Sequence, residues 1–181
     1  MKGDRTLTDS QYAIAMRLSA LREHTAKGRG RGNPLGQAPE LTATGNNLGM
    51  IGEATIAREV PDAWDPWVHR NDDLVAETVG HLDVPPWEVR ACPWGGSLIV
   101  HPDEEEGHPD APFVLVWVKG EPPYYGPEVR IAGWGYLKDI RRKRFWRTID
   151  VRRPAYFIPR YHEGERILAP WGAKQAELFV T

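Results

Sequence analysis

The sequence predicts an α/β (α+β) domain in which helices flank a curved mixed β-sheet. Three observations carry that expectation. Apolar residues recur at helical spacing in two N-terminal segments, the period falls towards two from about Val68 onward, and sixteen prolines cut the later part into short pieces. Short strands joined by Pro-rich loops are expected to follow. A chain of 181 residues is long enough for one domain with one principal site and a core that needs no disulfide. Cys92, the single cysteine, excludes an internal disulfide and a multi-thiolate zinc site and suits a reducing compartment. No apolar run reaches membrane-spanning length and Met1 to Thr8 has no signal-peptide pattern, so the expected location is cytoplasmic, with no membrane partner. With 23 Lys and Arg against 25 Asp and Glu, the chain is close to neutral, and nucleic-acid binding would have to come from local patches.

The first helix is announced by Thr8-Asp9-Ser10-Gln11, a capping-box spacing in which the Thr8 hydroxyl and the Gln11 amide satisfy orphan N–H groups. Ile14, Leu18 and Leu21 follow at helical spacing, and the helix should fade near Lys27. The stretch "KGRGRGNPLGQAPE" then reads as a basic Gly/Pro-rich arm carrying Arg29 and Arg31, either a solvated linker or a phosphate-contacting segment. Residues 1–45 thus form an N-terminal helix and arm. A second helix is expected from a cap at Asn46 or Asn47 through Leu48 to about Glu59, before Pro61 stops it. Its sequence "LGMIGEATIARE" sets Gly49 and Gly52 one turn apart, a small-residue surface on which another element can pack, with Glu53 beside it.

Strands are expected near Leu74–Val79, Trp87–Ala91, Leu98–His101, Phe113–Val118, Val129–Ile131 and Ala155–Ile158. "GEPPYYGP" reads as a hairpin connection, and "HPDEEEGHPD" as an acidic turn whose Glu104 to Glu106 belong at a sheet end away from any phosphate. After "GWG" a helical segment is expected from about Leu137 to Phe145, with Trp134 packing after its strand. Residues 46–171 make the core domain and 172–181 a tail. In "WEVRAC", Trp87, Val89 and Ala91 alternate with Glu88, Arg90 and Cys92, so an acid and a base share one strand face. That pairing is either a surface ion pair or half of an active site.

"GMIGEATIAREV" resembles the first helix of the PD-(D/E)XK, or restriction-endonuclease-like, nuclease superfamily, in which a helical Glu precedes a catalytic hairpin. "DVPPWEVRA" resembles that superfamily's Asp followed by E-x-K, with Arg in place of Lys. The order of the later segments, "GGSLIVHPDEEEGHPDAPFVLVWVKG", "EVRIAGWGYLKD" and "RPAYFIPR", is similar to that of small phage and bacterial proteins. The resemblance implies a restriction-endonuclease-like core and a phage-related, metal-dependent nuclease acting on DNA. Magnesium or manganese would be held by Asp83, Glu88 and the backbone carbonyl of Val89, with Glu53 reaching in from the helix. Asp73, at the head of "DLVAETV", is the alternative to Asp83, since Asp83 needs a tight turn through Pro85 and Pro86 to meet Glu88. Arg90 can supply charge to the transition state but cannot act as a base.

Arg141, Arg142, Lys143, Arg144 and Arg147, interleaved with Phe145 and Trp146, read either as a solvated helix face or as a nucleic-acid-contacting surface. The six His residues show no zinc-ligand spacing. Two other readings stand beside the nuclease: a catalytically silent nucleic-acid-binding or protein-interaction module of the same fold, and a structural protein of a virion or complex. A homodimer is one assembly that the resemblance allows.

Overall fold

The computed structural model describes residues 5–28, 39–60, 84, 86–102, 110–122, 124–148 and 154–172. Strand β1 (Arg5–Thr6) is followed by helices α1 (Asp9–Gly28) and α2 (Pro39–Glu59), then by β2 (Glu88–Pro93), β3 (Leu98–Val100), β4 (Pro112–Lys119) and β5 (Glu128–Tyr136). Helix α3 (Leu137–Ile140) and a 3-10 turn (Lys143–Phe145) lead into β6 (Trp146–Arg147), β7 (Ala155–Ile158), β8 (Tyr161–His162) and β9 (Glu165–Arg166). The result is a mixed α/β architecture. Its main sheet has the order β1-β5-β4-β2, with β2 parallel to β4 and the other pairs antiparallel. A second sheet, β3-β7-β6, and the hairpin β8-β9 complete the described strands.

Strand alternation sorts the core into two layers. Val114, Val116 and Val118 of β4 join Val89 and Val129 against Ala15 and Leu18 of α1 and Met50, Ile51 and Ala54 of α2. Phe113 and Leu115, pointing the other way, join Leu98 and Val100 of β3 and Ile158 of β7. Helices therefore cover one face of the main sheet and the small sheet covers the other.

The capping box forms as the spacing predicts: the Thr8 N–H donates to Gln11 Oε1 at 3.0 Å and the Gln11 N–H to Thr8 Oγ1 at 3.3 Å. The buried stripe of α1 is Ala15, Leu18 and Ser19, whereas Ile14 is 45% exposed. Helix α2 begins at Pro39 rather than at an Asn46 or Asn47 cap, because proline suits the first turn of a helix. Asn47 instead accepts a hydrogen bond from the Ser19 hydroxyl at 2.7 Å, tying α2 to α1. Strand β1 was not anticipated; two residues carry no readable period, and pairing of Arg5 with Val129 defines it.

Strand β5 runs on through "GWG" to Tyr136 instead of ending at Ile131. A bulge between Leu115 and Val116 leaves Ala132 as the extra residue, and Gly133 adopts a φ of 157°. A Cβ at Gly133 would lie 2.7 Å from both Leu168 Cβ and the Ala169 carbonyl, so the glycine lets the chain around Ala169 cross the strand. The expected helix from Leu137 to Phe145 stops at Ile140. A continuous helix would set Phe145 about 140° around from Ile140, yet both are buried, and the break at Arg141 and Arg142 brings Phe145 back to the core.

Candidate active site

Strand β2 forms one edge of the main sheet as described, and its parallel register with β4 sets Glu88 beside Phe113 and Arg90 beside Leu115. Glu88, Arg90 and Cys92 therefore share the face turned towards the small sheet, as the alternation predicts. Val89 and Ala91 face α2. Burying a carboxylate is costly unless it is paired, and Glu88 is only 8% exposed. Arg90 Nη1 donates to Glu88 Oε1 at 2.8 Å and to the Val89 carbonyl at 2.9 Å, while its guanidinium lies 5.6 Å from the Phe113 ring centre. A single cationic nitrogen thus engages both oxygen-bearing groups of this strand that the sequence reading assigns to a metal.

Glu53 is 4% exposed, and with Glu88 makes up the buried charged side chains among the described residues. Its helix is seated on β2 at Gly52, where a Cβ would stand 2.8 Å from Ala91 Cβ and 3.3 Å from Val89 Cγ1. Contact that close requires a residue without a side chain. Gly49 meets nothing, so only one of the two glycines serves the packing. The two buried acids are thus divided by the outer strand, Glu53 on the helix seated against one face and Glu88 on the other face.

Asp73 and Asp83 lie outside the described residues, as do Arg29, Arg31, Glu104 to Glu106 and the expected strand Leu74–Val79. Just before Glu88, Val84 and Trp87 exchange backbone hydrogen bonds of 3.1 and 2.7 Å. Among the described residues no three of His, Cys, Asp and Glu converge on a common point. Compared with known proteins, the chain matches no family model, no curated protein and no solved structure.

The wall behind Glu88 is aromatic. Trp87 is fully buried, with Trp134 at 5.4 Å and Trp171 at 5.0 Å between ring centres. Trp134 lies within β5 rather than after it; its ring packs on Trp87, and its Nε1 donates to the Pro170 carbonyl at 3.2 Å. Cys92 has its thiol pushed up to about 11 by burial, so it is a poor nucleophile at neutral pH.

The basic run does not share one helix face, because the backbone breaks within it. Arg142 clamps Glu165 through two bonds of 2.5 Å, and Arg144 lies 3.4 Å from the same carboxylate. The Arg142 hydrogen bonds hold the Glu165 carboxyl below its usual range. Arg141 instead lies over the Tyr156 ring and Arg147 over the Phe157 ring, with Lys143 exposed. A second set of cations and rings, around Trp94 and Arg160, was missed by the sequence reading. Its residues are scattered from β2 to β9, and only the exposed Trp after the strand in "CPWGG" could have signalled it.

Proposed function

We propose that this chain is a magnesium- or manganese-dependent nuclease that hydrolyses DNA phosphodiester bonds at the outer edge of its main sheet, on a restriction-endonuclease-like core. The observation that carries the reading is the grip of Glu88 and the Val89 carbonyl on one positive centre, the Arg90 nitrogen, with Glu53 buried on the helix seated against the same strand. Carboxylate and carbonyl oxygens are the donors a hard divalent cation takes. The residues present therefore fit such an ion, which Glu88, the Val89 carbonyl and Asp83 or Asp73 would hold, with Glu53 on the helix seated against the opposite face of the same strand. When bound, it supplies Lewis-acid polarisation of the phosphate and an acidified water.

Arg90 has a separate part. Released from Glu88, its guanidinium can move to a phosphate oxygen and neutralise charge that develops as the phosphorus is attacked. It stays protonated throughout, so proton removal falls to a carboxylate or to the activated water itself. The same grip also favours a second reading. A guanidinium that never leaves Glu88 neutralises the site permanently and leaves a catalytically silent nucleic-acid-binding or protein-interaction module.

Cleavage of labelled single- and double-stranded DNA in magnesium and in manganese separates the two, with wild type, Glu88→Gln, Glu88→Ala and Arg90→Lys compared. The nuclease reading expects cutting by the wild type and a loss in both Glu88 variants beyond the roughly 10- to 100-fold that removal of a supporting group costs. Arg90→Lys, with a more compact cation and a weaker hold on the carboxylate, should cut at least as fast as the wild type. Folded wild type and Arg90→Lys that both fail to cut would leave the silent module. Thermal unfolding adds a reading without turnover: magnesium should raise the Tm of the wild type more than that of Glu88→Gln.

A further inference from the structure

The strand face that bears Glu88 ends in a row of alternating rings and cations. Cys92 sits beside Trp117, and Trp117 beside Arg130, across β2, β4 and β5. Trp94, just past the end of β2, packs its ring 5.8 Å from that of Trp117, and the Trp117 Nε1–H is anchored on the Gly96 carbonyl at 2.8 Å. The Arg130 guanidinium lies 5.4 Å from the Trp94 ring centre. Arg160 lies 5.4 Å from Trp117 and 5.2 Å from Tyr161, and Arg166 lies 5.5 Å from Tyr161 on its other strand. Lys119 Nζ, paired with Glu128 at 2.8 Å, lies 5.8 Å from the Trp94 ring as well, so three rings and four cations form one continuous surface.

Two features separate this surface from ordinary packing. Trp94 is 36% and Tyr161 50% exposed, although large rings normally seek the core. Arg160 touches rings alone: among the described residues its guanidinium meets no carboxylate, and its Nε is buried without a hydrogen-bond partner. Glu165, the acid beside Arg166, is already taken by Arg142. The positive charge of Arg160 is therefore left for something else to balance.

We propose that this row binds an unpaired nucleic-acid strand. Exposed rings offer faces on which unpaired bases stack, and the interleaved cations meet the phosphates between them. A duplex keeps its bases stacked on one another and can use the cations alone. The choice of nucleic acid over an acidic peptide rests on the nuclease reading of Glu88, which lies on the same strand face. The six residue steps from Glu88 through β2 to Trp94 span about 20 Å, so a strand held on the row can extend to the outer edge where Glu88 sits.

The test is binding of fluorescently labelled oligothymidylate, single-stranded and annealed to its complement, to the full chain in EDTA, so that cleavage plays no part. The wild type should bind the single strand more tightly than the duplex. Trp94→Ala and Tyr161→Ala, both at exposed positions, should each weaken that binding roughly 10-fold, and Arg160→Gln should lower the log–log salt slope by roughly 0.7. Unchanged affinity in the two ring variants, with their Tm preserved, or a preference for duplex would overturn the proposal. Equal displacement of the oligonucleotide by polyglutamate would overturn it in favour of an acidic protein partner. A chain that binds through the row yet cuts nothing would instead remove the nuclease reading and leave this one standing.

Discussion

Arg90 sits where a lysine would have been the more adaptable choice. Lysine can release a carboxylate by rotating a compact ammonium or losing its proton, whereas arginine holds with a planar fork and keeps its charge. Glu88 and Arg90 were legible as a pair two residues apart on one strand face, because alternation alone dictates that geometry. That one nitrogen would also engage the Val89 carbonyl was not legible, since it depends on a rotamer chosen against Phe113. Cys92, the next residue on that face, gives a pH test. Its thiol is raised from an ordinary 9.0 to about 11 by burial, so the neutral form is favoured in the folded state. Native protein at pH 8 should react with a thiol reagent on the order of 100-fold more slowly than the urea-unfolded chain, read by absorbance of the released chromophore. Stability linked to this group is intact below the unfolded value near 9.0 and is lost as the pH rises towards 11.

Helix α2 and strand β2 are the elements on which the candidate site depends, and Gly52 sets the distance between them. Gly52→Ala should cost about 1–2 kcal/mol in urea unfolding, the strain of overpacking outweighing a gain in helix propensity of about 1 kcal/mol. Gly49→Ala, facing open space, should be neutral or stabilising by up to about 1 kcal/mol. Equal responses at the two positions would refute the packing argument. Strands were legible wherever apolar, largely β-branched residues ran without interruption, as from Leu98 and from Phe113. The start of α2 was not, because "TGNN" carries capping residues that tertiary contact with α1 keeps inside the helix. The helix expected across the basic run failed for the converse reason: local propensity favours it, but burial of both Ile140 and Phe145 breaks it.

Across the whole molecule, the chain from Leu168 to Trp171 closes the end of the sheet at which Glu88 lies. Ala169 and Trp134 exchange backbone hydrogen bonds of 3.0 and 2.8 Å, and Trp171 packs on Trp87. Trp171→Ala should therefore lower stability by about 1–3 kcal/mol, since the ring is half-buried and meets another ring. Its tryptophan emission should shift to the red as Trp87 becomes wet, whereas an unchanged Tm and spectrum would show that the segment does not brace the site. What the sequence by itself determined is local: the capped first helix, the alternation that puts Glu88 and Arg90 on one face, the lone thiol and the absence of zinc spacing. Each follows from backbone periodicity or side-chain chemistry over a few residues. What only the tertiary structure decided is which distant segments meet: a parallel β2–β4 pair, a glycine letting Leu168 cross β5, and cations split between Glu165 and aromatic rings. Those outcomes depend on long-range packing, and no window of neighbouring residues contains both partners.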